Sequence, residues 1–242
     1  MSTDPSPVAA PPPLSLLQRV IGVVFSPGET MAAIAAAPRW LDVLAITTVL
    51  MAAGFALFFA TDVGKAAYVD QAVASVESFG RTVNAEMYAV LQRQAGYAAW
   101  IQGGTILFFS PLITAAIAGI FFGVFTVLGG EAKYTQVLAV VAHASVISLL
   151  QQVFSLPMNY MRQTMSSATN LAVFFPDLAE GSFLASVLGF IDLFWIWYLI
   201  VLAIGLAAVY RRKWTSVAGS LFVVYVLIGL AVAAIKAVLG GR

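Results

Sequence analysis

Two ionisable side chains stand in stretches otherwise suited to hydrocarbon. Asp192 is the one charged residue between Gly181 and Tyr210, with apolar neighbours from Phe183 to Trp195. An ionised carboxylate at the middle of a membrane span costs at least ~2.5–3.5 kcal/mol on insertion scales. Such a group must face other helices, pair with a donor or carry a proton. Its chemistry is then ion or proton handling, or a structural hydrogen bond to a neighbouring helix. His143, the only histidine, falls in the apolar run 135–157. Imidazole and carboxylate form a natural buried pair, so His143 and Asp192 can meet if their helices are neighbours; otherwise the histidine fills a packing position. Gln151 and Gln152, with Gln136, Ser145 and Ser148, lend the same run a polar character suited to joining helices or lining a cavity.

Other chemistry is poorly supplied. The chain has no cysteine and one histidine, which excludes thiolate and multi-histidine zinc sites. No nucleophile elbow, phosphate loop or paired-carboxylate motif occurs. A serine–histidine hydrolase built from Ser145 or Ser148 with His143 has no motif behind it. We therefore assign no catalytic, cofactor-binding or metal-binding residue. The net charge of +1 comes without a basic stripe interleaved with aromatics, so nucleic acid is not an expected partner.

The elements that must position these residues follow from composition. Of 242 residues, 61% are hydrophobic and 10% charged, against about a quarter charged in a soluble domain. A bilayer core needs about 20 apolar residues per helix. Five charge-poor runs meet that length, about 43–61, 104–128, 135–157, 184–209 and 217–239. Backbone polar groups cannot stay unpaired in lipid, and strict two-residue alternation is absent, so helices rather than a barrel are expected. The fold class is all-α: an integral membrane helical bundle with about five transmembrane helices, N-terminal interfacial helices and a long amphipathic helical loop. The spans form one membrane domain, 41–240, in a lipid bilayer.

Between the spans the pattern changes. Residues 1–13 hold Pro5, Pro7, Pro11, Pro12 and Pro13 and read as a disordered tail. Residues 14–40 read as amphipathic helices lying in the interface or packed under the bundle. Leu17, Val20, Ile21 and Val24 share a face of a first helix too short to span. Ser26 as N-cap, Pro27 at the first helical position and Glu29 completing a capping box open a second. The polar segment 62–102 carries Val69, Val73, Val76, Val83, Met87 and Val90 at helical spacing, with Gly80 in the stripe, and reads as one amphipathic helix of roughly 30 residues. A second polar segment covers 158–181, with Phe174, Phe175 and Pro176 at the interface. In the second span Pro111 should kink the helix, and Ala115, Gly119 and Gly123 form a small-residue stripe that admits another helix. Self-association and contact with other membrane proteins are the expected interactions. The cluster Arg211, Arg212 and Lys213 in a short loop favours the cytoplasm, which puts the N-terminus inside and the C-terminus outside.

The run VIGVVFSPGETMAAIAAAPRW from Val20 resembles the opening segment of the Yip family (Ypt-interacting protein domain), in which a phenylalanine, a serine and a proline precede a short helix; Ser26 and Pro27 stand at those positions. GGEAKYTQVLAVVAHASVI, from Gly129 and Gly130 to Ile147, resembles the family's double-glycine turn and third span. FIDLFWIWYLIVLAIGLAAVY, from Phe190 to Tyr210, resembles its fourth span, with Asp192, Trp197 and Gly205 at recurring positions. The resemblance implies a five-span protein with a cytoplasmic N-terminus and a role in organising membranes or traffic. Eukaryotic members bind prenylated Rab-type GTPases and one another. The aspartate-leucine-tyrosine-glycine-proline string they often carry is missing, and the N-terminal segment is short, which counts against a GTPase partner here. The alanine-rich composition points to a bacterial inner membrane.

Overall fold

The computed structural model describes residues 14–78, 80–175, 177–178 and 182–239. The proline-rich tail, Pro176, Glu180, Gly181 and Arg242 lie outside the described residues. Ten α-helices and a 3-10 turn, Leu171–Phe174, form among those described, without strands. Five of the helices are long and apolar enough to cross a membrane.

The chain opens with two short helices, α1 (Leu16–Phe25) and α2 (Pro27–Ala36). Ser15 and Gln18 cap α1 reciprocally: the Ser15 hydroxyl accepts the Gln18 N–H at 3.3 Å, and Gln18 Oε1 accepts the Ser15 N–H at 2.9 Å. The expected box at Ser26 and Glu29 does not form. Pro27 holds the first helical position as expected, but the Ser26 side chain makes no capping bond. Its backbone serves both helices instead, the N–H closing α1 on Gly22 O at 2.8 Å and the carbonyl taking the Thr30 N–H at 3.2 Å. The outer face of α1 exposes Leu17, Ile21 and Phe25, while Val20 and Val24 turn toward the core. The pair is packed into the bundle: Val23, Met31 and Ile34 are buried in the same apolar core as Val140 and Leu206.

α3 (Leu41–Ala60), α6 (Ala98–Val127), α7 (Tyr134–Arg162), α9 (Leu193–Tyr210) and α10 (Trp214–Leu239) are the spans; α4 (Asp62–Glu77), α5 (Ala85–Ala95) and α8 (Phe183–Phe190) lie between them. The centre of the bundle is α7, buried without interruption from Val137 to Ala144. About 61% of its apolar window is buried, against 11% for α6 and for α10, which therefore stand at the edge with faces for lipid. α7 continues through Pro157 to Arg162, five residues past the expected end, and stops at Gln163 in the left-handed region.

Close approach of helices is bought by small residues. A Cβ on Gly205 of α9 would lie 2.4 Å from Val140 of α7 and 3.1 Å from Met31 Sδ of α2, so three helices converge where only glycine fits. Gly129 adopts φ +77°, and a Cβ on Gly130 would meet the Tyr210 ring at 2.6 Å; the double glycine makes the turn and seats it on the end of α9.

Two expected continuous helices are broken. The polar segment is helical but folds back as a hairpin, α4 (Asp62–Glu77) and α5 (Ala85–Ala95). Gly80 has φ +72°, a conformation no right-handed helix continues through, and Asn84 restarts the helix by accepting the Met87 N–H at 2.8 Å. The fourth apolar run divides into α8 (Phe183–Phe190) and α9. Asp192, expected within a continuous span, is instead the N-cap of α9.

Gly205→Val should lower the melting temperature in detergent, with about 1–3 kcal/mol of stability lost to overpacking. Gly219→Ala, at a glycine with open space around it, should leave it unchanged. Equal melting of both variants and the parent would contradict this packing.

Candidate intramembrane polar site

His143 and Asp192 lie at two separate polar centres. At the first, Arg19 of α1 is buried, with 3% of its surface exposed. Its Nη1 donates to Arg39 O at 2.8 Å, to His143 Nε2 at 2.9 Å and to Asp42 Oδ1 at 3.2 Å, and its Nη2 pairs with Asp42 Oδ2. Nη1 has two N–H groups for three acceptors, so one is shared. Asp42 stands in the first turn of α3, where a carboxylate suits the helix dipole, and its Oδ1 also accepts the Val43 N–H at 2.8 Å. Its side chain is 41% exposed, so the pair opens outward on one side.

The partners of His143 fix its proton. Nδ1 lies 2.7 Å from Ala139 O, which can only accept, and Nε2 faces a guanidinium, which can only donate. The ring is therefore the neutral tautomer with the proton on Nδ1. Its one lone pair is occupied, and Ser145 Oγ donates to Ala142 O at 2.7 Å, so the serine hydroxyl is engaged elsewhere.

The second centre surrounds Asp192. Oδ1 accepts the Phe194 N–H at 2.9 Å, the Trp195 N–H at 3.4 Å and Gln151 Nε2 at 3.2 Å; Oδ2 accepts Ser167 Oγ at 2.8 Å and Thr169 Oγ1 at 2.5 Å. Five donors fill the roughly four lone-pair positions of an ionised carboxylate. The backbone follows: Leu171 N–H to Ile191 O at 2.9 Å, and Leu193 N–H to Thr169 O at 3.1 Å. The Tyr225 hydroxyl of α10 donates to Phe190 O. Loop 163–170, α7, α9 and α10 are thus tied at the break in the fourth run.

The two centres do not meet. Gln152, next to Gln151, donates to Met51 O at 2.8 Å, which sets Asp192 level with the middle of α3. His143 lies level with Asp42 at the start of α3. Nine residues of helix separate those levels, roughly 13 Å along the axis. Of the two alternatives open to His143, the pairing with Asp192 does not form, and each residue has its own set of partners.

Gln151 and Gln152 each join α7 to another helix. A Cβ at Gly119 or Gly123 would have nothing within 4 Å, so that part of the stripe is open, whereas Ala115 is partly buried against the core and its carbonyl accepts the Tyr134 hydroxyl of α7 at 2.9 Å. Trp197 packs against the core and stacks on Phe194. Between α3 and α7 an apolar groove of about 480 Å³ runs past Leu50, Gly54, Leu57, Gln152, Leu156 and Tyr160. Among the described residues, no three of His, Asp and Glu stand close enough to hold a metal.

Sequence reasoning missed Arg19 and Asp42 as a pair with His143, and Ser167 and Thr169 as partners of Asp192. The signal for Arg19 was a lone charge in an apolar helix. Its partners lie 23 and 124 residues away, which no local pattern discloses.

Charge differs between the ends of the bundle. Turns 37–40, 128–133 and 211–213 and the start of α2 carry exposed Arg39, Lys133, Arg211, Arg212 and Lys213 against Glu29 and Glu131. At the other end Lys65, Arg81, Arg93, Arg162 and Lys236 are matched by Asp62, Asp70, Glu77, Glu86 and Asp177.

Arg19→Gln should loosen the N-terminal pair by roughly 1–3 kcal/mol, because it leaves buried partners unsatisfied. Hydrogen exchange should accelerate in 16–36 and not in α10. Asp42→Asn should act in the same direction but less, since water already screens that carboxylate. Unaltered exchange in Arg19→Gln would contradict the role of this centre.

A family model described as the Yip1 domain matches residues 21–235. No curated protein and no solved structure is detectably similar to the chain.

Proposed function

Because the chain belongs to the Yip1 domain family, and that family is not known for enzymes, we propose that this integral membrane protein is a non-enzymatic organiser of membrane partners or lipids. One observation carries the reading. The His143 ring and the Asp192 carboxylate are each fully engaged by partners within the chain, whereas the outer faces of α6 and α10 remain free for other molecules in the bilayer. A carboxylate with five donors has no lone pair left for a cation, and an imidazole held between a carbonyl and a guanidinium has no free site for a proton in transit.

In this reading Ala115, Gly119 and Gly123 receive a helix of a second copy or of another membrane protein. The end bearing Arg211, Arg212 and Lys213 faces the cytoplasm, by the bias of short loops, in a bacterial inner membrane. The N-terminal pair of helices then lies on the cytoplasmic side and the C-terminus outside.

A second reading, a small-solute, ion or proton transporter, is favoured by one feature. The fourth run breaks at Asp192, level with the middle of α3, and interrupted helices line substrate sites in many transporters.

Flux measurements on purified protein in liposomes separate the two. An organiser should pass no ions, protons or solutes, and Asp192→Asn should change nothing in the assay. Flux that Asp192→Asn abolishes would overturn the organiser. Gly119→Leu should reduce crosslinking between membrane partners; full crosslinking in that variant would rule out the stripe as the contact.

A further inference from the structure

From the placement of its basic residues we infer that the end of the bundle carrying the 211–213 turn binds the headgroups of anionic phospholipids. This goes beyond the organising role and holds equally for a scaffold or a transporter.

Three turns distant in sequence are stitched into one surface. Arg212 Nη2 donates to Leu128 O at 3.0 Å, and its guanidinium lies 5.9 Å over the Phe125 ring. Phe125 stacks on Tyr210 at 4.4 Å, and Gly130 fits against that same Tyr210 ring. Gln136 binds the 128–133 turn to the end of α2, its Oε1 accepting the Lys133 N–H at 2.9 Å and its Nε2 donating to Ala35 O at 2.9 Å. Arg39, Lys133, Arg211, Arg212 and Lys213 are thereby held around one rim rather than on independent loops. Among the described residues none of the five forms an ion pair.

The depth of this rim fits a headgroup layer. The same segments expose Leu41, Val127, Leu128 and Trp214, large apolar groups directly beside the cations. Apolar side chains in the leaflet and cations just above them, with a tryptophan at the border, are the arrangement an anionic membrane surface attracts. Among the described residues the opposite end has the same number of cations and an equal number of acids, so it offers no comparable surplus.

The test uses the full chain in phosphatidylcholine vesicles with trace spin-labelled phosphatidylglycerol or spin-labelled phosphatidylcholine. The readout is the association of each label with the protein, measured from its motionally restricted spectrum. The expected result is preferential restriction of phosphatidylglycerol that high salt removes. Arg211→Gln with Lys213→Gln should lower that preference, by up to about fivefold per cation. Arg212 is left in place because it holds the turns together. Lys65→Gln with Arg162→Gln, at the far end, should retain the preference. Equal restriction of the two lipids, an undiminished preference in the first pair of substitutions, or an equal loss in both pairs would overturn the inference. Added inorganic phosphate should not displace the lipid; displacement would mark a site for free phosphate and overturn the lipid assignment.

Discussion

Hydrocarbon offers no hydrogen bonds, so any backbone group freed within the bilayer must find its partner inside the protein. That constraint is most exacting at the break between α8 and α9. The chain leaves helical geometry at Ile191 and Asp192, level with the middle of α3; Leu171 N–H and Thr169 O answer the freed backbone groups, and Gln151 and Ser167 bind the Asp192 carboxylate. The loop that supplies these partners has to return to the bundle for that purpose. Asp192 is the hinge of the arrangement: it caps α9 and binds the returning loop with the same carboxylate.

The Arg19 centre applies the same rule to charge. A buried guanidinium is tolerable where most of its donors are met, and Asp42, His143 and Arg39 O take four contacts from Nη1 and Nη2, while Nε has no partner. The effect is to hold α1 against α3 and α7 and so to keep the α1–α2 pair wedged beside α9. The small residues complete this packing. Gly205 admits Met31 and Val140, and Gly22 lets α1 lie against Thr30 of α2.

The five spans were legible in sequence because lipid imposes a length and a composition that few residues can violate. The breaks were harder to read. Asp192 sits among apolar neighbours on both sides, so a local pattern makes it an interior charge; its role as a cap depends on Ser167 and Thr169, 25 and 23 residues earlier, and on Gln151. Gly80 was visible as a gap in the α4–α5 stripe, but a glycine can sit in a helix as well as end one, and only its positive φ decides. Ser26 and Glu29 had the spacing of a capping box, yet the tight turn from α1 used the Ser26 backbone instead. His143 was found, but its partner was not, because the choice between Asp192 and Arg19 is made by helix register across the bundle.

Across a bilayer, α1–α2 and the 211–213 turn stand at one surface and the α4–α5 hairpin at the other. The absence of native cysteine makes this directly measurable. Thr82→Cys and Thr215→Cys, each alone and each at an exposed position, would be treated in intact bacterial cells with a membrane-impermeant maleimide. Labelling of Cys at 82 before lysis, and of Cys at 215 only after it, is the predicted result; equal labelling of both in intact cells would contradict the topology and everything built on it.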